Sequence, residues 1–282
     1  MAQRLAAMGN VICDHVVSKF GWNGISIRNL TPLLKLKGRN KLVFVNSMSD
    51  TFYEGFDELS IDAMFDVIRN LPHTFIILTK RAKRMADYFS SREVPQNVWT
   101  GVTVCDQSEA NEKIPYLLQV KSKFRFVSIE PMLGPIDLTD IIAKETDCFE
   151  DHINALYCDV DVEDDTIYQG RTTNWVICGG ESGGEARPMH PDWVISLRDQ
   201  CKTYDVPFMF KQWGTWAPGE CVNDLKKRET VVYTDGKWDK CSDDWITEAD
   251  RGPIMYKVGK NHAGRLLDGI IYDEFPGVNN VE

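Results

Sequence analysis

Residues 174–187 read NWVICGGESGGEAR. Trp175-Val176-Ile177-Cys178 is an apolar run of strand length, and Gly179-Gly180 breaks it. Glu181 and Ser182 follow at once, then two more glycines, then Arg187-Pro188. Pro191-Asp192 suits the first turn of a helix. The stretch reads as a buried strand ending in a glycine turn that presents a carboxylate and lets the backbone approach a ligand closely. A glycine loop is weakly specific by itself; its weight comes from the recurrence of the same design along the chain.

Upstream, Lys41-LVFV-Asn46, His73-TFIIL-Thr79, Asn97-VWTGVTV-Cys105 and Phe124-RFVSI-Glu130 share that character, and Pro207-FMF-Lys211 is the last of the series. Helices are expected between them, near 60–70, 82–90, 108–120 and 192–204, with a short one over 135–143. Pro115 is expected to kink or split the third of these. Leu5, Met8, Ile12 and Val16 fall at helical spacing and predict a first helix over 1–19. Alternating strands and helices imply parallel pairing with right-handed crossovers. Strands that are apolar throughout imply a sheet covered on both faces. About six strands are visible where eight would close the common barrel. The expected fold is therefore α/β: a partial (open) TIM-like β/α barrel with parallel strands, plus a small C-terminal hairpin and tail. Residues 1–215 are assigned to the barrel and 216–282 to an extension packed on it, with a hairpin around Asp235-Gly236. Residues 144–173 are acidic and aperiodic and read as an insertion or mobile loop. They lack the glycine and closing glutamate of a calcium loop.

The net charge of −10 argues against a protein that coats nucleic acid. Lys80 to Arg84 and Lys226 to Arg228 read as solvated faces. No apolar run reaches membrane-spanning length, and the N-terminus has no signal-peptide core, so a cytoplasmic protein with no membrane partner is expected. The cysteines at 13, 105, 148, 158, 178, 201, 221 and 241 have no close ligand spacing. They read as reduced and dispersed, with no metal site. His73 and His190 have no second histidine at metal spacing and read as structural. Trp213 and Trp216, near the strand-end rim, read as core ahead of the alternative of stacking on a base.

Polar groups cluster just after the strand ends: Asn46 and Asp50, Thr79 to Arg81, Asp106, Glu130, Glu181 and Ser182, Lys211 and Gln212. Ligands of parallel sheets sit at that edge. Glu130 and Lys211 each end an apolar strand, where an unpaired charge is expensive. They either pair with each other or meet a ligand.

FVNSMSDTF (44–52), HTFIILTKR (73–81), NVWTGVTV (97–104), SIEPMLGPIDL (128–138), WVICGGESGGEARPMHPDW (175–193), FMFKQWG (208–214) and VGKNHAGRLLDG (258–269) resemble the phage-associated three-cysteine-motif proteins. The resemblance covers nearly the whole chain except the acidic insertion. It implies a radical S-adenosylmethionine-like enzyme on a partial β/α barrel, with S-adenosylmethionine and a [4Fe–4S] cluster as cofactors. The cluster's CxxxCxxC-type loop is not in this sequence: MAQRLAAMG resembles the helix just after it. The expectation is either that the loop lies upstream of Met1 or that the chain is a cluster-free relative.

By position within the resemblance, Glu130, Lys211 and Glu181 are the candidate catalytic groups. Gly179, Gly180, Glu181, Ser182 and Asn46 are the candidate cofactor contacts. Asp50, Thr79, Lys80, Arg81, Arg187 and Gln212 are the candidate substrate contacts, and no metal ligand is assigned. The implied substrate is a nucleotide or DNA base, with a rearrangement step in thymine hypermodification of viral DNA that evades host restriction. Two other readings stay open: a cluster-independent Schiff-base lyase using Lys211 or Lys80, and a non-catalytic partner of another protein on a decayed barrel.

Overall fold

The computed structural model describes residues 17–18, 21–22, 38, 40–46, 49–143, 152–160, 168–222, 228–241 and 252–277. The helix expected over 1–19 lies outside them except for Val17–Ser18, a short strand antiparallel to Gly21–Trp22. Six strands, β1 (Leu42–Val45), β2 (Thr74–Thr79), β3 (Val98–Thr103), β4 (Phe124–Ile129), β5 (Trp175–Gly179) and β6 (Phe208–Gln212), form one sheet. Their order is β6-β5-β4-β3-β2-β1, and β1–β2, β4–β5 and β5–β6 pair in parallel. This is the expected open β/α-barrel class. No helix among the described residues is long and apolar enough to cross a membrane.

Two compact units divide the chain: Met1–Gly101 with Gln119–Phe124, and Val102–Leu118 with Arg125–Glu282. In the first, α1 (Glu58–Ile68) starts at Asp57, whose carboxylate accepts from Ser60 N at 2.8 Å. It buries Ile61, Phe65 and Ile68, one helical face. The helix α2 (Ala82–Ser90) buries Ala82, Met85, Ala86 and Phe89 in the same way. Phe52, Phe65, Tyr88 and Phe89 pack ring against ring with centroids 5.0–5.9 Å apart. The Asn97 amide donates to the carbonyls of Ile68, Leu71 and His73, which fixes the entry to β3.

In the second unit, α3 (Gln107–Gln119) runs as one helix through Pro115, which is buried. The expected split does not occur: proline removes one intrahelical bond, and the packed face with Ala110, Ile114 and Leu117 outweighs it. The short helix expected over 135–143 does not form either. Its backbone is held by side chains instead: Gln107 Oε1 accepts from Asp137 N at 2.6 Å and Gln200 Oε1 from Leu138 N at 2.8 Å, while Gln200 Nε2 donates to Ile136 O. Ile141–Ile142 then pairs with His152–Ile153, and Tyr157–Val160 with Tyr168–Arg171. Part of the acidic insertion is thus hairpin strand; residues 144–151 and 161–167 lie outside the description.

After β6 comes a four-stranded antiparallel sheet of β7 (Trp216–Pro218), β8 (Thr230–Thr234), β9 (Lys237–Cys241) and β10 (Ile254–Lys257), in the order β7-β10-β8-β9. The expected hairpin joins β8 to β9, with Asp235 and Gly236 both at positive φ, as a two-residue turn requires. The tail returns along the edge of β6. Phe210 N donates to Tyr272 O, Phe208 N to the Glu274 carboxylate and the Trp213 indole to Leu266 O. The chain thereby covers the edge strand, whose open backbone groups would otherwise be a site for aggregation.

His190 caps α4 (Pro191–Thr203), its Nδ1 accepting from Asp192 N at 3.1 Å. It is 7% exposed and packs among Trp193, Tyr233 and Trp238. Burial pushes its pKa down, against a smaller upward pull from Asp192. The unfolded chain therefore takes up this proton first, and the stability His190 contributes is present above about pH 6.5 and lost as pH falls below it. Thermal unfolding followed from about pH 7.5 to 5.5 should lose more melting temperature in the wild type than in His190→Asn, which keeps a capping side chain.

Candidate functional site

The junction of β5 and β6 sets the geometry of the second unit. Cys178 pairs with Phe210, yet the next residue, Gly179, pairs with Gln212. Lys211 is thus the extra residue of a β-bulge, a feature that re-aims side chains at strand ends. In a regular strand, Lys211 and Gln212 would point to opposite faces. Here both reach one carboxylate: Lys211 Nζ lies 2.7 Å from Glu130 Oε2, and Gln212 Nε2 lies 3.1 Å from Oε1. Glu130 follows the last residue of β4, its side chain 24% exposed, while Lys211 is 49% exposed. The Glu130–Pro131 peptide is cis.

Beyond the bulge the two strands stay joined. Gly180 N donates to Gln212 O at 2.9 Å and Thr215 N to Glu181 O at 2.8 Å. The Thr215 hydroxyl accepts from Gly183 N and donates to Gly183 O. A Cβ on Gly180 would sit 1.9 Å from Trp213 O, and one on Gly214 would sit 2.1 Å from Glu181 O. The room that Gly180 provides is therefore taken by protein backbone and not by a ligand. Gly179 faces Glu130, with its Cβ position 3.4 Å from Oε1. Ser182, Gly183 and Gly184 are exposed, and a Cβ on either glycine would meet nothing within 4 Å.

Glu181 accepts from the backbone N, Nε and Nη2 of Arg187 at 2.8, 2.8 and 3.0 Å. The Arg187 side chain holds its carboxyl below the usual range, against a smaller effect of burial. Cys178, beneath the site, is fully buried and directs its thiol at Met132 Sδ, 3.7 Å away. Burial pushes that thiol well up, and Cys201 and Glu130 add to the effect, so it is no nucleophile. Asp106 accepts from Glu109 N at 2.9 Å and serves as a cap for α3.

The first unit uses its expected residues differently. The Asp50 carboxylate accepts from Thr79 Oγ1 at 2.7 Å, Phe52 N at 2.9 Å, Lys80 N at 2.9 Å and Arg81 Nη1 at 3.1 Å. Arg81 also binds Glu54 and stacks over Tyr53. Asn46, at positive φ after β1, donates to Thr51 Oγ1. Asn46, Asp50, Thr79 and Arg81 therefore tie residues 49–56 to the end of β2 through these side-chain bonds. Lys80 contributes its backbone N–H to this knot and keeps an exposed side chain.

Glu54, Gly214 and Thr215 carry no local sequence signal of these contacts. FMFKQWG contains Gly214, but nothing in a single chain says that this glycine faces Glu181. Trp213 and Trp216 are core, at 1% and 4% exposure. Among the described residues no three His, Cys, Asp or Glu side chains converge on a metal position.

These features define an open β/α-barrel protein with a bulge-built charged cluster at a strand-end edge. The chain belongs to the family described as "Protein of unknown function (DUF5131)", whose model matches residues 1–276. No curated protein and no solved structure matches it.

Two glycines of one loop should respond oppositely to the same change. Gly180→Ala should lower stability by more than about 2 kcal/mol, because backbone must move, while Gly184→Ala should stay within about 0.5 kcal/mol. Urea unfolding of the two variants is the check; equal effects would contradict the junction described.

Proposed function

We propose that the chain is a base-modifying enzyme of the radical S-adenosylmethionine type, working in the cytoplasm on a thymine-like nucleobase or nucleotide held at Glu130, Lys211 and Gln212. One observation carries the substrate assignment: the three groups form a row of donor, acceptor and donor. Lys211 Nζ and Gln212 Nε2 flank the Glu130 carboxylate. A lysine ammonium has three N–H groups, an amide NH₂ has two, and each carboxylate oxygen accepts more than one bond. Each group therefore keeps hydrogen-bonding capacity while holding its neighbour; Lys211 is the open end of the row and Gln212 the buried end, at 8% exposure. The row complements the carbonyl, N–H, carbonyl edge of a thymine or uracil ring and mismatches the corresponding edge of cytosine.

The rest of the edge supports the same reading. The Glu130–Lys211 and Glu181–Arg187 pairs leave little net charge, which suits a neutral polar ring. A base taken from a duplex would have to be flipped to reach a strand-end site.

The radical class rests on the motif resemblance alone. In that class S-adenosylmethionine supplies a carbon radical that abstracts a hydrogen atom. The accompanying cluster needs several thiolates brought together, and the described residues do not fit it. What these residues contribute is recognition: Lys211 and Gln212 orient the ring carbonyls, and Glu130 accepts the ring N–H. Lys211, already paired with Glu130, is assigned to binding.

Calorimetric titration with thymidine and cytidine tests the assignment. Thymidine should bind, cytidine should bind at least about tenfold more weakly, and Glu130→Gln should cost thymidine about tenfold or more. Equal affinity for the two nucleosides, or no effect of Glu130→Gln on thymidine, would contradict it.

A further inference from the structure

The Glu181–Arg187 pair leaves part of its arginine unused. A guanidinium carries five N–H groups in a planar fork. The side-on pairing with Glu181 takes Nε–H and one hydrogen of Nη2. The outer edge, with both hydrogens of Nη1 and the second of Nη2, faces away from the carboxylate. The Arg187 side chain is 60% exposed, and the loop it closes has open space at Gly183 and Gly184. Three other arginines each span two carboxylates. Arg81 bridges Asp50 and Glu54, Arg92 bridges Asp62 and Glu58, and Arg198 bridges Asp199 and Asp268.

Glu181 fixes the plane of this guanidinium, so its outer edge is aimed before any ligand arrives. Two parallel N–H groups on a planar edge match two oxygens of a phosphoryl group, and such bidentate pairs are among the stronger hydrogen-bonded contacts. Glu185, exposed on the same loop, opposes an anion. The seat therefore works through directed N–H groups and not through an excess of positive charge. The root of the loop, Gly179, abuts Glu130, so one strand end leads from the base site to Arg187.

We propose that the outer edge of Arg187 is a phosphoryl seat for the nucleotide whose base lies at Glu130, with Glu181 as a positioning residue. The inference rests on the nucleobase reading of the Glu130 site and adds to it the group that would hold the phosphate of a nucleotide or strand, which ranks phosphorylated ligands ahead of a free nucleoside.

The test is calorimetric titration of the wild type, Arg187→Gln and Arg187→Lys with four probes: thymidine, thymidine 5′-monophosphate, a short single-stranded thymidine oligonucleotide and inorganic phosphate. Glutamine at 187 can still hydrogen-bond Glu181, which keeps the loop braced without the guanidinium edge. Wild type should bind the monophosphate or the oligonucleotide at least about tenfold more tightly than thymidine. Arg187→Gln should abolish that advantage while leaving thymidine within about twofold, and Arg187→Lys should restore only part of it. Loss with the oligonucleotide assigns a phosphodiester, and loss with the monophosphate alone assigns a terminal phosphate. An unchanged advantage in Arg187→Gln, or an equal loss for thymidine and the phosphorylated probes, overturns the seat and leaves Arg187 as a loop brace. If thymidine fails to bind the wild type, the nucleobase reading fails. The seat then stands if inorganic phosphate binds the wild type at least about tenfold more tightly than Arg187→Gln, and falls otherwise.

Discussion

The second unit depends on how closely the ends of β5 and β6 approach. Two glycines make that approach: the Cα of Gly180 lies against the carbonyl of Trp213, and that of Gly214 against the carbonyl of Glu181. No side chain fits at either position, so the backbones lock by hydrogen bonds from Gly180 N to Gln212 O and from Thr215 N to Glu181 O. The lock takes up one residue more on β6 than on β5, and that residue is Lys211. The bulge follows from the lock, and the grip of two adjacent side chains on Glu130 follows from the bulge. A chemical arrangement is thus set by a backbone constraint several residues away from its charged atoms.

This construction separates the two strand-end clusters by chemistry. Around Asp50, four donors, one from its own loop and three from the end of β2 and the two residues after it, satisfy the carboxylate. Such a group braces a loop and has little left to offer a ligand, and removing it would strand several donors. Around Glu130, two donors approach from one strand, both with hydrogens to spare, and Lys211 is half exposed. The first arrangement is complete within the protein; the second keeps unused hydrogens on a half-exposed Lys211, with Gln212 buried behind it. Glu181 and Arg187 fall between them, closed on one edge and open on the other.

The sequence makes the fold legible where one physical rule dominates. Short apolar runs such as Thr74–Thr79 and Val98–Thr103 are strands because burial on both faces leaves no other use for them. Asp235-Gly236 marks its hairpin because few residue pairs accept positive φ twice. The Glu130–Lys211 pair is legible as one of two outcomes for charges that end apolar strands. Legibility fails where distant groups decide. Residues 135–143 resemble a helix locally, yet Gln107 and Gln200 hold their backbone in a non-helical path that turns at 138–139. Pro115 reads as a breaker until the packing of α3 is known. The glycines at 179–184 read as one ligand loop; their neighbours show that Gly180 serves the strand junction and Gly183 and Gly184 face open space. The contact of Gln212 with Glu130 is not legible, because a bulge at Lys211 leaves no local signature in FMFKQ.

The bulge-gripped carboxylate is proposed as the seat of a pyrimidine ring with an imide edge. Amide hydrogen exchange, read by mass spectrometry with and without saturating thymidine, tests it most directly, since it reports where the ligand lands without altering a residue. Added protection confined to peptides covering 130–133, 179–182 and 211–215, and absent with cytidine, is the result this account predicts. Protection elsewhere in the chain, or the same protection with both nucleosides, would contradict it.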